Sequence, residues 1–182
     1  MPDVTTMMPV KYDSRTILLH WLTALLVVLL WGVAQVIDFF PSGPLRVDAR
    51  SVHITLGVTL VAVLALRIVW RLRGGRHLPA AETGLIGLAA RVVHYALYAL
   101  LIAEVALGLS NAWVRGDSIF NLFTIPAFDP ANKALRREVG SLHGLVANVI
   151  LIVAGAHAAA ALFHHYVRRD GVLRRMLPGL NG

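Results

Sequence analysis

Residues 141–161, SLHGLVANVILIVAGAHAAAA, hold two histidines fourteen residues apart in an otherwise apolar run. In an α-helix, fourteen residues turn through about 1400°, within roughly 40° of four whole turns, and climb about 21 Å. His143 and His157 are therefore predicted to share one face of a helix at two different depths. A polar side chain inside a membrane is costly and normally faces the interior of a bundle, so both imidazoles are expected to point inward.

The composition is that of a membrane protein. Of the 182 residues, 57% are hydrophobic and only 15% are charged, which lies outside the usual range of soluble domains. A bilayer core of about 30 Å needs roughly 20 apolar residues in a helix, and four such runs are present, at about 16–38, 51–72, 88–113 and 139–166. We therefore expect an all-α, integral membrane four-helix bundle that forms a single domain over residues 1–182.

Capping residues lie at the predicted ends of the first two helices. Asp13 or Ser14 is expected to cap the start of the first helix, and Ser51 the start of the second, because short polar side chains satisfy the free backbone N–H groups there. The pair Gly74 and Gly75 is expected to stop the second helix, since glycine adopts most easily the conformations that end helices.

The cationic residues lie just outside the apolar runs, and the net charge is +7 with histidine neutral. This distribution favours a membrane protein over a nucleic-acid-binding protein, whose basic residues would form a patch of their own. Four spans put both termini on one side, which carries ten lysines and arginines against six on the other, with Arg67 left out as intramembrane. Because short cytoplasmic segments are enriched in Lys and Arg, both termini are expected in the cytoplasm.

The other histidines can be sorted by their depth in the predicted helices. His53, at the outer start of the second helix, shares a layer with His143. His20, near the inner end of the first helix, shares a layer with His157, and His94 in the third helix lies in that inner layer too. A single intramembrane histidine is more simply explained as a hydrogen-bonded core residue. Four at matched depths indicate a shared role.

Two imidazoles that face each other across a gap can supply both axial ligands of a six-coordinate b-type haem. The chain has no cysteine, so covalent haem attachment and thiolate ligation are excluded and a cofactor must be held noncovalently. No carboxylate is expected beside the four histidines, which counts against a divalent metal site. Small residues such as Gly57 and Gly144 would give a flat porphyrin room, although in membrane helices they also indicate close packing.

Arg67 is an independent indication of such a cofactor. It lies fourteen residues after His53 and is predicted to face the same interior at the depth of the inner layer. An unpaired guanidinium there is unfavourable; haem propionates would satisfy it, and Arg71, one turn later, could help. The alternative for both arginines is that they extend to the cytoplasmic interface.

Several motifs together resemble the bacterial cytochrome b561 family, four-helix dihaem membrane cytochromes related to the cytochrome b subunits of nickel-iron hydrogenases. They are LHW at His20, HITLGV at His53, RIVWRL at the end of the second helix, and SLHGLVAN followed by GAHAAAALFHHY in the fourth. The resemblance implies that His20 with His157 binds an inner haem b, and His53 with His143 an outer one. It places His94 near the inner haem as a supporting residue.

The same resemblance implies a protein of the bacterial inner membrane that oxidises superoxide and reduces ubiquinone. Two haems with irons on the order of 20 Å apart could pass single electrons through the bilayer and store the pair that a quinone needs. Glu104, deep in the third helix, departs from the family pattern. It could serve proton transfer, but we expect it to pair with a neighbour such as Ser110 or Asn111.

Other functions remain open at this point. The chain could be a cytochrome b subunit that takes electrons from a partner dehydrogenase or hydrogenase and delivers them to quinone. A different class of function would use the histidines, Glu104 and Arg67 as a haem-free pathway for protons or metal ions. A plain membrane anchor with only structural histidines is disfavoured by the matched depths.

Overall fold

The structure, a computed structural model, describes residues 11–177. It contains four long helices, α1 (Ser14–Ile37), α2 (Pro44–Arg73), α3 (Gly84–Arg115) and α4 (Lys133–Phe163). All four are long and apolar enough to cross a membrane, which confirms the prediction of an all-α membrane bundle. Residues 1–10 and 178–182 of the predicted single domain lie outside the described residues, and the side of the membrane on which the chain ends lie stays a prediction.

The helix ends follow the local sequence, with one exception. The Asp13 side chain caps α1 by accepting a hydrogen bond from the Thr16 N–H at 3.0 Å. Gly74 ends α2, and its N–H donates to the Trp70 carbonyl oxygen. The prediction that Ser51 caps the second helix is wrong, because α2 already begins at Pro44. Proline at a first helical position has its backbone angle preset for the helix and has no N–H to satisfy there.

The helices form two antiparallel hairpins, α1 with α2 and α3 with α4, and the contact between α2 and α3 is much smaller. Leu26, Leu60 and Val63 form the core of the first hairpin. Outward-facing side chains such as Leu18 and Ile152 are largely exposed, as expected for surfaces that contact lipid.

The link between α3 and α4 lies at the end of the bundle that also holds residues 38–43, here called the far end. It contains a short antiparallel pair of strands that the sequence did not predict, β1 (Ser118–Ile119) and β2 (Phe123–Thr124). The Phe120 N–H donates to Ser51 Oγ on α2 at 2.7 Å. The buried Asp117 carboxylate lies 3.1 Å from Arg50 Nη1. These contacts attach the link to the start of α2.

The opposite end, with the start of α1, the end of α4 and residues 74–83, is here called the terminal end. After α4 the chain forms a π-helical turn, His164–Arg168, and a 3₁₀ turn, Leu173–Met176. Trp21 Nε1 donates to the Met176 carbonyl at 2.6 Å, and Arg175 Nη1 donates to the Pro79 carbonyl at 2.9 Å. The last described segment therefore closes the terminal end against both hairpins.

Candidate cofactor site

The structure brings four histidines together as two pairs. The rings of His20 and His157, here the terminal pair, have centroids 6.3 Å apart with planes at 82°. The rings of His53 and His143, the far pair, have centroids 6.1 Å apart with planes at 88°. In both pairs one histidine comes from the α1–α2 hairpin and the other from α4, so each pair lies across the gap between the two hairpins.

An apolar layer separates the two pairs. Ile150 lies seven residues from both His143 and His157 on α4, and it is buried with Leu64 of α2 and Leu101 of α3 in one hydrophobic cluster. This layer joins three helices at mid-depth. The two pairs are consequently separate sites at opposite ends of the bundle, each with its own surroundings.

The far pair has open space beside it. A Cβ added at Gly57, one turn after His53 on the same face of α2, would meet no atom within 4 Å, whereas Gly144 lies on an exposed part of α4. The Nδ1 atom of His53 is buried, and the Leu30 backbone is a hydrogen-bonding neighbour of the His53 ring. A histidine that donates through one ring nitrogen keeps the other free to bind a metal.

Glu104 of α3 lies against the far pair, with its Oε1 3.0 Å from His143 Nδ1. The expectation that it pairs with Ser110 or Asn111 is wrong, and so is the expectation that no carboxylate lies beside the four histidines. Both errors have the same cause, because the contact joins residues 39 positions apart on neighbouring antiparallel helices. Glu104 lies eleven residues before the end of α3 and His143 ten residues after the start of α4, so matching their depths would have revealed it.

Arg67 and His94 surround the terminal pair. Arg67 Nη2 lies 3.1 Å from His20 Nδ1, and its guanidinium lies 5.0 Å from the centre of the Tyr98 ring. The His94 and His157 ring centroids are 5.2 Å apart, within the α3–α4 hairpin rather than across the gap. Arg67 is thus at the inner layer, as its spacing from His53 predicted.

Arg71 is directed away from the terminal pair. Its Nη1 donates to the Arg76 carbonyl at 3.2 Å, and its guanidinium lies 5.9 Å from the centre of the Tyr12 ring. In this position Arg71 connects the link between α2 and α3 to Tyr12, which precedes α1. Its predicted role as a second partner for a cofactor requires the side chain to turn towards Arg67.

The ring spacing fits a metal held between two imidazoles. A metal–nitrogen bond of about 2 Å on each side, with roughly 1 Å more to each ring centre, separates the two centres by about 6 Å. Both histidine pairs have this separation, whereas His94 and His157 are closer. A ligating Nε2 leaves the proton on Nδ1, so Arg67, which can only donate, must leave His20 Nδ1 when His20 binds a metal.

A second group of ligand-type side chains lies at the terminal end. One ligand atom each from Glu82, His164 and Asp170 lie within 4.8 Å of one another, and these are the only three such residues so grouped in the described part of the chain. Arg168 pairs with Glu82 and lies 3.8 Å from Asp170 Oδ2. The guanidinium therefore already satisfies both carboxylates, and the group connects residues 74–83 to the end of α4.

The electrostatics of that group are consistent with an ion-pair network. Desolvation of Asp170 raises the pKa of its carboxyl, but hydrogen bonds from His164 and the Val172 N–H, with the nearby His164 and Arg168 charges, outweigh it. The net effect is a pKa below the ordinary value. A carboxylate kept ionised next to cationic partners is typical of a structural network.

Comparison with known proteins finds similarity over almost the whole chain. The family described as prokaryotic cytochrome b561 matches residues 11–179. The probable superoxide oxidase CybB of Yersinia pestis is 34% identical over 176 residues, which cover 94% of this chain and 98% of that protein. Cytochrome b561 homologs 1 and 2 of Escherichia coli (strain K12) are 28% and 30% identical, over 92% and 93% of this chain and 97% and 92% of their own lengths.

Proposed function

Because the chain belongs to the prokaryotic cytochrome b561 family, and is thus a multi-pass membrane cytochrome b with a role in electron transfer, we propose that it holds two haems. Each is a noncovalent haem b with two histidine ligands. Electrons pass from superoxide to ubiquinone, in the bacterial inner membrane with both chain ends in the cytoplasm. The observation that carries the proposal is the spacing of the terminal and far histidine pairs. Their ring centres are 6.3 and 6.1 Å apart across the gap between the two hairpins.

His53 and His143 hold the far haem, and His20 and His157 hold the terminal haem. His94 is a neighbour of the terminal haem rather than a ligand, because its ring lies on the same hairpin as His157 and only 5.2 Å from it. When bound, an iron porphyrin with two imidazole ligands supplies reversible one-electron chemistry with little change in geometry. Gly57 leaves room beside the far pair.

Arg67 neutralises the propionates of the terminal haem. Its guanidinium is half-buried inside the bundle, beside Tyr98 and His20 and without a carboxylate partner among the described residues. Such a charge is unfavourable in a membrane unless an anion accompanies it. Propionate oxygens match the fork of guanidinium donors, and releasing Arg67 from His20 Nδ1 frees that nitrogen to carry its proton.

The overall reaction balances with two protons taken from water. Two superoxide anions each give up one electron and leave as O₂, while one ubiquinone takes two electrons and two protons and leaves as ubiquinol. Lys133, Arg136 and Arg137 are exposed at the far end and provide a positive surface for a small anion. Arg50 and Arg115 contribute less, because both pair with Asp117.

Haem content and visible spectra of the purified protein test the two sites. We expect two haems per chain with the sharp bands of bis-imidazole haem. His53→Ala and His20→Ala are each expected to lose one haem and keep the other, since the pairs are separated by the Ile150 layer. His94→Ala is the matched control and keeps both. Colourless wild-type protein, or loss of a haem in His94→Ala alone, would contradict the assignment.

The substrates are tested separately with the isolated protein in detergent. Superoxide generated enzymatically is expected to reduce added ubiquinone only when the protein is present, with O₂ and ubiquinol formed in a ratio of about two to one by the electron balance. A dihaem protein that reduces quinone only when a partner dehydrogenase or hydrogenase supplies electrons would instead be a cytochrome b subunit. A haem-free protein that conducts protons or metal ions would be a pathway of the other class.

A further inference from the structure

Glu104 is an acidic residue inside a membrane-spanning helix, and its described polar contact is with one histidine. Its Oε1 lies 3.0 Å from His143 Nδ1, and the side chains of Glu104 and His143 are only 13% and 20% exposed. Its other oxygen, Oε2, is buried with no hydrogen-bond partner among the described residues. An acidic side chain inside a membrane is costly to keep and is a functional residue by default.

Gly108 gives the imidazole its place against α3. It lies one turn after Glu104, and a Cβ added to it would lie 3.2 Å from His143 Cε1. This is closer than ordinary van der Waals contact, so a side chain there would push the ring away. On α3, Glu104 thus offers an acceptor at one edge of the His143 ring, and Gly108, which has no side chain, lets the ring lie close to the helix backbone.

We propose that Glu104 is a positioning residue for the far haem. Its carboxylate accepts the Nδ1–H of His143, fixes the orientation of the ring and directs Nε2 towards the iron. His143 Nδ1 and Glu104 Oε1 are 3.0 Å apart but not yet aligned as a hydrogen bond, so the proposed bond requires the ring to turn. The inference rests on the proposed function and adds a residue outside the histidine pairs.

The same contact favours the oxidised state of the far haem. A carboxylate that accepts the Nδ1–H increases the basicity of the ligating imidazole, and its negative charge in a low-dielectric interior stabilises ferric over ferrous iron. Among the described ion pairs, only the far pair has a carboxylate against one of its histidines, and Arg67 near the terminal pair is matched by the propionates. The Glu104 charge therefore makes the far haem the lower-potential centre and directs electrons from the far end to the terminal end.

A redox titration of the full-length protein followed by visible spectra tests this inference. Wild-type protein is expected to show two one-electron transitions, and His53→Ala to lose the lower one. In Glu104→Gln, which keeps the shape of the side chain but not its charge, the lower transition is expected to move upward. The expected change is about tenfold in the ferric-to-ferrous ratio at a fixed potential, about 59 mV for one electron. The higher transition stays in place.

Glu138→Gln is the matched control, because Glu138 is an exposed carboxylate of α4, five residues before His143. It is expected to move neither transition, whereas equal shifts in both variants would mean a general charge effect and overturn the positioning role. If Glu104→Gln loses the far haem, Glu104→Asp must restore it, and failure of this rescue overturns the proposal.

The outcomes distinguish failure of the Glu104 role from failure of the dihaem proposal. Two bis-imidazole haems with unmoved transitions in Glu104→Gln would overturn the role of Glu104 and leave the proposed function standing. A lower transition that persists in His53→Ala would overturn the predicted order of the two potentials. Fewer than two haems in the wild type would overturn both the role of Glu104 and the dihaem proposal.

Discussion

At the scale of single residues, Asp13 connects three parts of the terminal end. Its carboxylate accepts hydrogen bonds from the Thr16 N–H and hydroxyl, from Trp70 Nε1 at 2.9 Å and from the Arg76 N–H at 3.0 Å. Desolvation of Asp13 raises the pKa of its carboxyl, but these hydrogen bonds outweigh it and hold the pKa below the ordinary value. The side chain caps α1 and also ties α1 to α2 and to residues 74–83.

Because the pKa of Asp13 is lowered in the folded protein, its carboxylate stabilises the fold fully above the unfolded pKa of about 4. This contribution is lost as the pH falls towards the folded pKa. Asp13→Asn keeps one accepting oxygen but loses the second and the charge, which is expected to cost about 1 kcal/mol at pH 7. The gap in melting temperature between wild type and variant should narrow from pH 4 to pH 3. Asp38→Asn is the control and should leave the melting temperature unchanged, because Asp38 is an exposed carboxylate at the other end of α1. A melting-temperature gap between wild type and Asp13→Asn that widens in acid would contradict the role of Asp13.

At the scale of secondary-structure elements, Ser51 joins α2 to the β1–β2 strand pair at the far end. It is fully buried, its hydroxyl donates to the Val47 carbonyl at 2.8 Å, and its Oγ accepts from the Phe120 N–H at 2.7 Å. Phe120 has φ of 48°, a backbone conformation that bulky residues rarely adopt. The hydrogen bond from its N–H to Ser51 helps to keep Phe120 in this conformation. Ser51 lies two residues before His53 on α2.

Ser51→Ala removes the acceptor of the part-buried hydrogen bond from the Phe120 N–H. We expect a loss of about 1 kcal/mol in unfolding free energy, measured by thermal or denaturant unfolding in detergent. Thr59→Ala is the matched control, because the Thr59 hydroxyl donates only to the Thr55 carbonyl on the same helix. Equal losses in the two variants would mean that the bond between α2 and the hairpin contributes nothing.

At the scale of the whole molecule, the two hairpins have few direct contacts with each other outside the mid-depth layer of Leu64, Leu101 and Ile150. The histidine pairs lie in the gap on either side of that layer. In a bilayer, apolar side chains gain little by leaving lipid for one another, so packing and specific polar contacts hold helices together. Groups bound between the histidines would therefore supply a large share of the contact between the hairpins.

Haem-depleted protein is accordingly expected to unfold at a lower temperature than the holoprotein. A ligand present at a thousand times its Kd contributes about 4 kcal/mol. His53→Ala and His20→Ala, each with one haem, should melt between the two, as measured by a thermal shift assay in one detergent. Identical melting temperatures for the haem-free and haem-loaded chains would show that the hairpins hold together without the cofactor.

The sequence by itself determined the number of spans, a cap at Asp13 or Ser14, the end of α2 at the Gly74 and Gly75 pair and the depths of the histidines and Arg67. These features depend on local physics, namely the length of an apolar run, the chemistry of a cap and the 3.6-residue turn of a helix. A residue's depth follows from its distance to a helix end. For this reason the layering of His20, His53, His143 and His157 could be predicted from spacing.

Only the tertiary structure decided which residues meet across the layers. Lateral neighbours depend on how each helix is rotated about its axis and which helix packs beside it, and neither is written in the periodicity of one run. Three contacts depend on this packing. Glu104 meets His143, Ser51 bonds to Phe120 of the α3–α4 link, and Arg71 bonds to Arg76 rather than facing the gap. Each joins residues from different elements, so packing rather than local sequence fixed it.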